Sequence, residues 1–415
     1  MMRLSAERLA GGVPDFQTVE ALVRSFEAGA LRLNRLARYF EGRHDILART
    51  RLRGLPNSRI PHAFPRYIAQ VSAAYLLGEP VSVSGPEPGA TALRGLLQKA
   101  SADSVDVELA LHQAIYGRAV SLCYEDASGQ AFVCSLDPRS AFVVADDTVA
   151  ADPLFGVYLT GSPGERSCTV YTKDEVLRYG SRGQVLARQP HPFLALPMVE
   201  YYNGVDGHGD FEDVLALIDA YNLLQADRIN DRQQFSDALL VLTGVMGIAE
   251  GTSGETGPGA MERLRQERTL ALPDSEAKAE WLVKNPQERD VDVLRRALAE
   301  DIHKFSMTPD FADERFAGNA SGIAIKYKLF NLEQRIRMKE RWFIQGLRER
   351  ARVMAGFLAQ SGKAAPDISR LQIRIPRRLP INELERAQAL SLLNGILPEK
   401  TLQDNAPILP SETQQ

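Results

Sequence analysis

Apolar residues recur at helical spacing through much of the chain, and the places where the period changes mark its organisation. Over 18–43, Val19, Leu22, Val23, Phe26, Leu31, Leu33, Leu36 and Phe40 keep a 3.6-residue period, and Gly42 closes the helix they predict. Residues 1–60 otherwise read as loop, with ILARTRLRGLPNSRIPHAFP polar, Pro-broken and extended. A second amphipathic helix is predicted over 66–81, stopped by Gly78 and Pro80, and a third over 103–116 through Val107, Leu109, Leu111 and Ile115. The period changes to two at Gly117. RAVSLCYEDASGQAFVCSLD (118–137) reads as two strands around a tight turn, and short β-type segments continue to about residue 193. A Pro/Gly-punctuated exit (194–214) leads into a predicted long helix over 210–242, with Asp210 as N-cap and Asp213 in its first turn. Its first half carries a stripe (Phe211, Val214, Leu215, Ile218, Tyr221, Leu224). Its second half, ADRINDRQQFSDA, is polar, hence either solvated or packed on copies of itself.

Residues 243–260 are Gly-rich, followed by a short charged helix (MERLRQER) and a strand-like WLVKN. Val291, Leu294, Leu298, Ile302 and Phe305 predict a helix over 289–306. Then comes a polar loop and a proline-free stretch, 321–360, which as one helix would span ~60 Å. Its apolar positions (Ile323, Ile325, Leu329, Phe330, Leu332, Ile336, Trp342, Phe343, Leu347, Met354, Phe357) wander around the helix, as in one touched from several sides or bent. Gly346 and Gly356 are the cheap places to bend. Residues 368–380 alternate Leu371, Ile373 and Ile375 as an edge-like strand ended by Pro376. NELERAQALSLLNG reads as a capped helix closed by Gly395, and the tail as loose. The expectation is an α+β, mostly helical chain.

Composition narrows the class. With 44% hydrophobic and 25% charged residues in 415, the chain is an ordinary soluble globular protein with room for two or three domains. No apolar run is long enough to cross a membrane, and MMRLSAERLAGG lacks a signal-peptide core. A net charge of −4 excludes a protein that coats nucleic acid with positive charge. The charge is uneven, however. The stretch 321–360 holds nine bases against three acids, and 200–213 holds Glu200, Asp206, Asp210, Glu212 and Asp213 with no base. Such a chain could touch a polyanion without gripping it everywhere, or simply carry solvated charged faces. Cys123, Cys134 and Cys168 have no metal-ligand spacing and no disulfide arithmetic; Cys123 and Cys134 lie in strand-like runs and read as core.

Catalytic patterns are missing. The six histidines are dispersed, and His303 reads as a surface or packing residue in preference to a ligand. There is no GxSxG, no GxGxxG after a strand, and no Gly-Lys-Ser/Thr to complete a phosphate loop in 243–260. Asp301, Asp310, Asp313 and Glu314 could imitate a Mg²⁺ site of a nuclease, or form a loop of solvated acids. No cofactor is implied.

Five segments, in order over about 35–403, carry a family resemblance: YFEGRHDIL, YIAQVSAAYLLGEPV after Pro61, GDFEDVLALIDAYNLLQADRINDRQQFSDALLVLTG, FAGNASGIAIKYKLFNLE and RRLPINELERAQALSLLNG. Together they resemble tailed-bacteriophage portal (head–tail connector) proteins of the siphophage type. The resemblance implies a non-enzymatic ring, dodecameric in the virion, at the capsid portal vertex, assembled in the host cytoplasm around a channel through which double-stranded DNA is packaged and ejected. It implies a wing (1–205, with 322–379), stem helices (206–243 and 289–307), a clip (244–288), a tunnel loop (308–321) and a short crown (380–415). The partners implied are the terminase large subunit, which carries the ATPase, head-completion or adaptor proteins, and major capsid and scaffold proteins. Asp310, Phe311, Asp313, Glu314, Arg315 and Phe316 are the implied constriction residues. Gly318, Asn319 and Gly322 let the loop move, and Lys304 or Arg315 supplies transient basic contacts. The competing readings are a metal-dependent phage nuclease and a capsid adaptor that passes no DNA.

Overall fold

The computed structural model describes residues 2–9, 13–52, 55–161, 167–235, 239–243, 278–282, 288–312, 326–377, 388, 391–393 and 396. Among them are seven α-helices and thirteen strands, a mixed α/β fold. In chain order the first elements are β1 (Met2–Leu4), α1 (Phe16–Phe40), α2 (Phe64–Leu76), β2 (Ser82–Ser84), α3 (Gly89–Lys99) and α4 (Ala102–Tyr116). The strands β3 (Arg118–Glu125), β4 (Ala131–Leu136), β5 (Ala141–Asp146), β6 (Pro153–Thr160), β7 (Ser167–Tyr171), β8 (Glu175–Tyr179), β9 (Val185–Pro190) and β10 (Met198–Tyr202) follow. The last are α5 (Leu215–Phe235), β11 (Leu239–Thr243), β12 (Lys278–Leu282), α6 (Glu288–Phe305), α7 (Phe330–Gln360) and β13 (Gln372–Arg374).

The chain divides into two units: Met1–His44, His62–Leu217 and Glu300–Gln415 form one, and Asp45–Pro61 with Ile218–Ala299 the other. In the first, a six-stranded sheet runs β1-β5-β6-β7-β8-β9, with β1 parallel to β5. A three-stranded sheet runs β10-β3-β4. The predicted hairpin is β3–β4, in register from Val120↔Leu136 to Glu125↔Ala131. Its turn is held by the Asp126 carboxylate, which accepts from the amides of Ser128 and Gln130 at 2.9 Å each. The change of character at Gly117 has a steric cause. Gly117 ends α4 at φ +77°, and a Cβ there would stand 2.7 Å from the backbone of His208.

Two large cores and a smaller one, of Val120, Leu122, Leu136, Val143 and Met198, lie in this unit. Under α1, Val19 and Phe26 meet Phe142, Phe155, Val157 and Val170 of the larger sheet, with Phe26 stacked on Phe142 at 4.5 Å. The second core surrounds α7, whose Leu332, Ile336, Phe343, Leu347, Met354 and Phe357 pack with α2, α3 and β10. So α7 is touched from several sides, as its scattered apolar positions predict. Its two glycines serve contact instead of bending. A Cβ on Gly346 would stand 2.6 Å from Cε1 of Tyr201, and one on Gly356 2.9 Å from the Phe193 carbonyl carbon, while the helix runs unbroken. Cys123 is buried and its thiol pushed up to about 12 by that burial; Cys134 is half-buried.

Several expectations are corrected. β1, β2 and α3 were not predicted: a three-residue strand shows no alternation, and the helical spacing of Ala90, Leu93 and Leu96 in GATALRGLLQK was overlooked. The 194–214 exit contains β10, paired with β3. The predicted helix over 210–242 stops at Phe235, and Leu239–Thr243 is a strand paired with Lys278–Leu282, not with WLVKN over 281–285. Asp210 caps no helix; it is buried among cations described below.

In the second unit, the polar half of α5 finds partners in its own chain. Asp227 accepts from Arg49 at 2.7 Å and from Arg51, and Asn230 accepts from the Ser58 amide at 2.7 Å. Arg228 lies 3.8 Å from Asp292, which also pairs with Arg295 and Arg296. The arginine-rich 45–61 segment thus supplies the charges that the polar helix needs, a solution the reading of solvation or self-packing omitted. The clip (244–288) and the crown (380–415) fall, apart from 278–282, 288, 388, 391–393 and 396, outside the described residues.

Candidate nucleic-acid interface

The segment that follows α6 is built around a backbone reversal. His303 and Lys304 occupy the last turn of α6, where positive charge suits the carbonyl end of a helix. The amides of Ser306, Met307 and Thr308 return to the carbonyls of Ile302, Lys304 and His303 at 3.0, 3.2 and 3.1 Å. Met307 holds φ +52°, a left-handed conformation that a side chain adopts at a cost. Ser306 and Thr308 are buried on either side of it, while Met307 is exposed.

Three carbonyls of this reversal are captured by side chains. Arg335 of α7 donates Nη1 to the Ser306 carbonyl. His303 Nδ1 stands 2.9 Å from the Thr308 carbonyl; a carbonyl only accepts, so Nδ1 carries the proton. Tyr67 of α2 donates its hydroxyl to the Pro309 carbonyl at 2.7 Å and accepts from the Phe311 amide at 3.1 Å. Burial raises the Tyr67 phenol above its ordinary value. The His303 ring stands edge-on to Phe64 at 5.8 Å and Tyr67 at 5.9 Å, which decides for packing between the surface and packing roles the sequence left open.

Arg335 is itself held by Asp210, whose carbonyl and carboxylate it reaches with Nη2 at 2.7 and 2.9 Å. Lys339 donates to the same carboxylate at 2.8 Å and to Ser72 at 3.2 Å. Burial alone would raise the Asp210 carboxyl, but Arg335 and Lys339 outweigh it and hold it well below the usual carboxylate range. Burial pulls the Lys339 ammonium below its ordinary value, against the attraction of Asp210. A second buried pair, Asp106–Arg350, joins α4 to α7, with Arg350 Nη2 3.0 Å from Oδ2.

These pairs revise the charge reading. Arg335, Lys339 and Arg350 of the basic stretch and Glu200 and Asp210 of the acidic one are bonded inside the molecule, Glu200 to Arg118, while Glu212 meets Arg32 at the surface. Neither stretch is one continuous solvated face.

Of the predicted site residues, Lys304, Asp310 and Phe311 are described, and all three are exposed. The Lys304 ammonium lies 5.3 Å from the ring of Phe305, itself 58% exposed. Asp310 Oδ1 accepts from the Ala312 amide at 2.9 Å, and its Oδ2 is 3.9 Å from His303 Nε2. Asp313, Glu314, Arg315, Phe316, Gly318, Asn319 and Gly322 lie outside the described residues. Among the described residues, no three His, Cys, Asp or Glu side chains gather as a metal ion would need. The supporting residues Tyr67, Arg335 and Asp210 escaped the sequence reading. The separation of Tyr67 from Pro309 by 242 residues leaves no local signal.

No curated protein sequence matches the chain. Among solved structures, the neck of an empty gene transfer agent particle computed with C6 symmetry is 14% identical (84% of this chain, 91% of that one, TM-score 0.49). The virion of a native gene transfer agent particle is also 14% identical (91% and 94%, TM-score 0.49), and the neck of the native particle computed with C12 symmetry 15% (84% and 90%, TM-score 0.45). The family model of phage portal proteins, SPP1 Gp6-like, matches residues 24–415. With nearly its whole length matched in this way, the chain belongs to the SPP1 Gp6-like phage portal protein family.

Proposed function

We propose that the chain is the subunit of a portal ring at the capsid vertex, a passive conduit through which double-stranded DNA is packaged and later ejected. The observation that carries this reading is family membership over 24–415. Exposed apolar side chains on the helices assigned to the stem support it. Leu223 of α5, and Val293 and Leu294 of α6, are 45–67% exposed in the single chain. Apolar surface of that kind asks for a neighbouring copy. In this reading α5 and α6 form the stem, 244–288 the clip that docks the terminase and then the head-completion proteins, and 308–321 the loop at the constriction. The ring is dodecameric in the virion and closes with the help of capsid and scaffold proteins. The chain supplies no catalysis; the motor belongs to the terminase.

The loop assignment has a direct test. Glu314→Arg, or deletion of 312–317, is expected to leave rings visible by negative-stain imaging and native mass spectrometry, while particles assembled with the variant package little DNA. Loss of the rings themselves would sink the assignment. Metal-stimulated cutting of DNA by the purified chain, abolished by changing Asp310 and Asp313, would favour the nuclease instead.

A further inference from the structure

We propose that Tyr67 and Arg335 are positioning residues that pin 306–311, the root of the channel loop, to α2 and α7. The inference rests on the reading of 308–321 as that loop.

Three carbonyls at the root are held from different helices: Ser306 by Arg335 of α7, Thr308 by His303 of α6, Pro309 by Tyr67 of α2. Tyr67 uses its hydroxyl both as donor and as acceptor, to Pro309 and from Phe311, so a single phenol brackets Asp310 on both sides. It stands on a rigid base, because Ile68, Ala69 and Leu76 of α2 are completely buried. Arg335 uses the geometry of its fork. Nη1 reaches the Ser306 carbonyl and Nη2 reaches Asp210, so one planar group ties the residue after α6 to Asp210, ahead of α5. An ammonium in its place would satisfy the Asp210 charge without spanning both.

The side chains that alternate with these anchors face outward. Phe305, Met307 and Phe311 are 58%, 43% and 44% exposed, and Lys304 is exposed beside them. The backbone is therefore fixed from inside, while its outer surface is left to meet a partner. In the conduit reading that partner is the duplex. Its phosphates suit Lys304, and the exposed apolar groups offer no anion grip that would stall sliding.

Tyr67→Phe removes the hydroxyl and keeps the ring that packs on His303. Arg335→Lys keeps a charge for Asp210 and loses the fork. Both are tested in the full-length, assembled protein by hydrogen–deuterium exchange at 308–312 and by the DNA content of particles built with the variant. For Tyr67→Phe, exchange at Phe311 is expected to rise about tenfold, as for the loss of a tethering hydrogen bond, with the thermal midpoint and ring assembly unchanged. Arg335→Lys is expected to raise exchange at Thr308, and both variants to lose DNA severalfold. Unchanged exchange in Tyr67→Phe overturns the role of Tyr67, and unchanged exchange in Arg335→Lys overturns that of the fork. Faster exchange with full DNA content upholds the anchoring and overturns the channel-loop reading. If neither variant assembles, the two residues are determinants of folding and the positioning role is overturned.

Discussion

Replacing Gly346 by Ala sets two effects of opposite sign against each other. In a helix interior Ala is favoured over Gly by ~1 kcal/mol, so the substitution would stabilise α7 if nothing else changed. Here the new methyl would stand 2.6 Å from Cε1 and 2.8 Å from Cγ of the Tyr201 ring. Tyr201 cannot step aside cheaply. It is fully buried, its hydroxyl is 3.3 Å from Ser121 Oγ, and its ring lies 5.2 Å from that of Phe343, also fully buried. Overpacking a close-packed core costs ~1–3 kcal/mol and more where both partners are rigid, so the steric term wins and a net loss of about 1–2 kcal/mol is expected. Gly29 of α1 and Gly95 of α3 are the controls, because a Cβ at either meets nothing within 4 Å. Gly29→Ala and Gly95→Ala are expected to gain about 0.5–1 kcal/mol each. Urea denaturation followed by circular dichroism at 222 nm reads all three, and Tyr201→Leu in the Gly346→Ala background should recover part of the loss. A Gly346→Ala chain as stable as the two controls would refute the packing account and return Gly346 to the role of a bending point.

Arg350→Met leaves Asp106 buried without its bidentate partner, so a loss of about 3–5 kcal/mol is expected in the same assay, while the double replacement Asp106→Leu with Arg350→Met should lose far less. The pH dependence follows from Asp210. Its carboxyl is held below the ordinary value of 3.8, so the stability it contributes is complete above that value and is lost as pH falls below it towards the lower folded value. Asp210→Asn should therefore be less stable at neutral pH and show a shallower decline in thermal midpoint on acidification below pH 4; an unchanged decline would place the acid sensitivity elsewhere.

Local chemistry was legible in the sequence where neighbours in the chain decide the structure. Gly42, at φ +82°, ends α1 where the period stops, and Asp126 with Gly129 makes the 118–137 hairpin. The family was legible too, because its motifs are colinear over most of the chain. What pairs at long range was not. β2 meets β13 across 290 residues, as Val83↔Ile373; the alternation of Leu371, Ile373 and Ile375 marks β13, but three residues of β2 are too few to mark its partner. The end of α5 failed for a different reason. Leu239–Leu242 continues a helix as well as it starts a strand, and only the partner at 278–282 decides between them. The charges of 200–213 and 321–360 looked like surface because composition cannot distinguish a solvated carboxylate from one enclosed by Arg335 and Lys339. For 306–311, Tyr67 and Arg335 add anchors that no spacing could have named.

The order in which the chain is synthesised bears on the two cores unequally. The layer beneath α1 draws its buried residues from Leu4 to Tyr179, so all of it has emerged before the middle of the chain is made. The layer around α7 begins with Ala73 and is not complete until Ile375. Leu76, Leu93, Leu109 and Val133 must therefore wait, with apolar surface uncovered, while some two hundred further residues are translated. The nascent chain carries one finished half and one unfinished half of the same unit, and α7 is the piece that ends its exposure to aggregation and to chaperones.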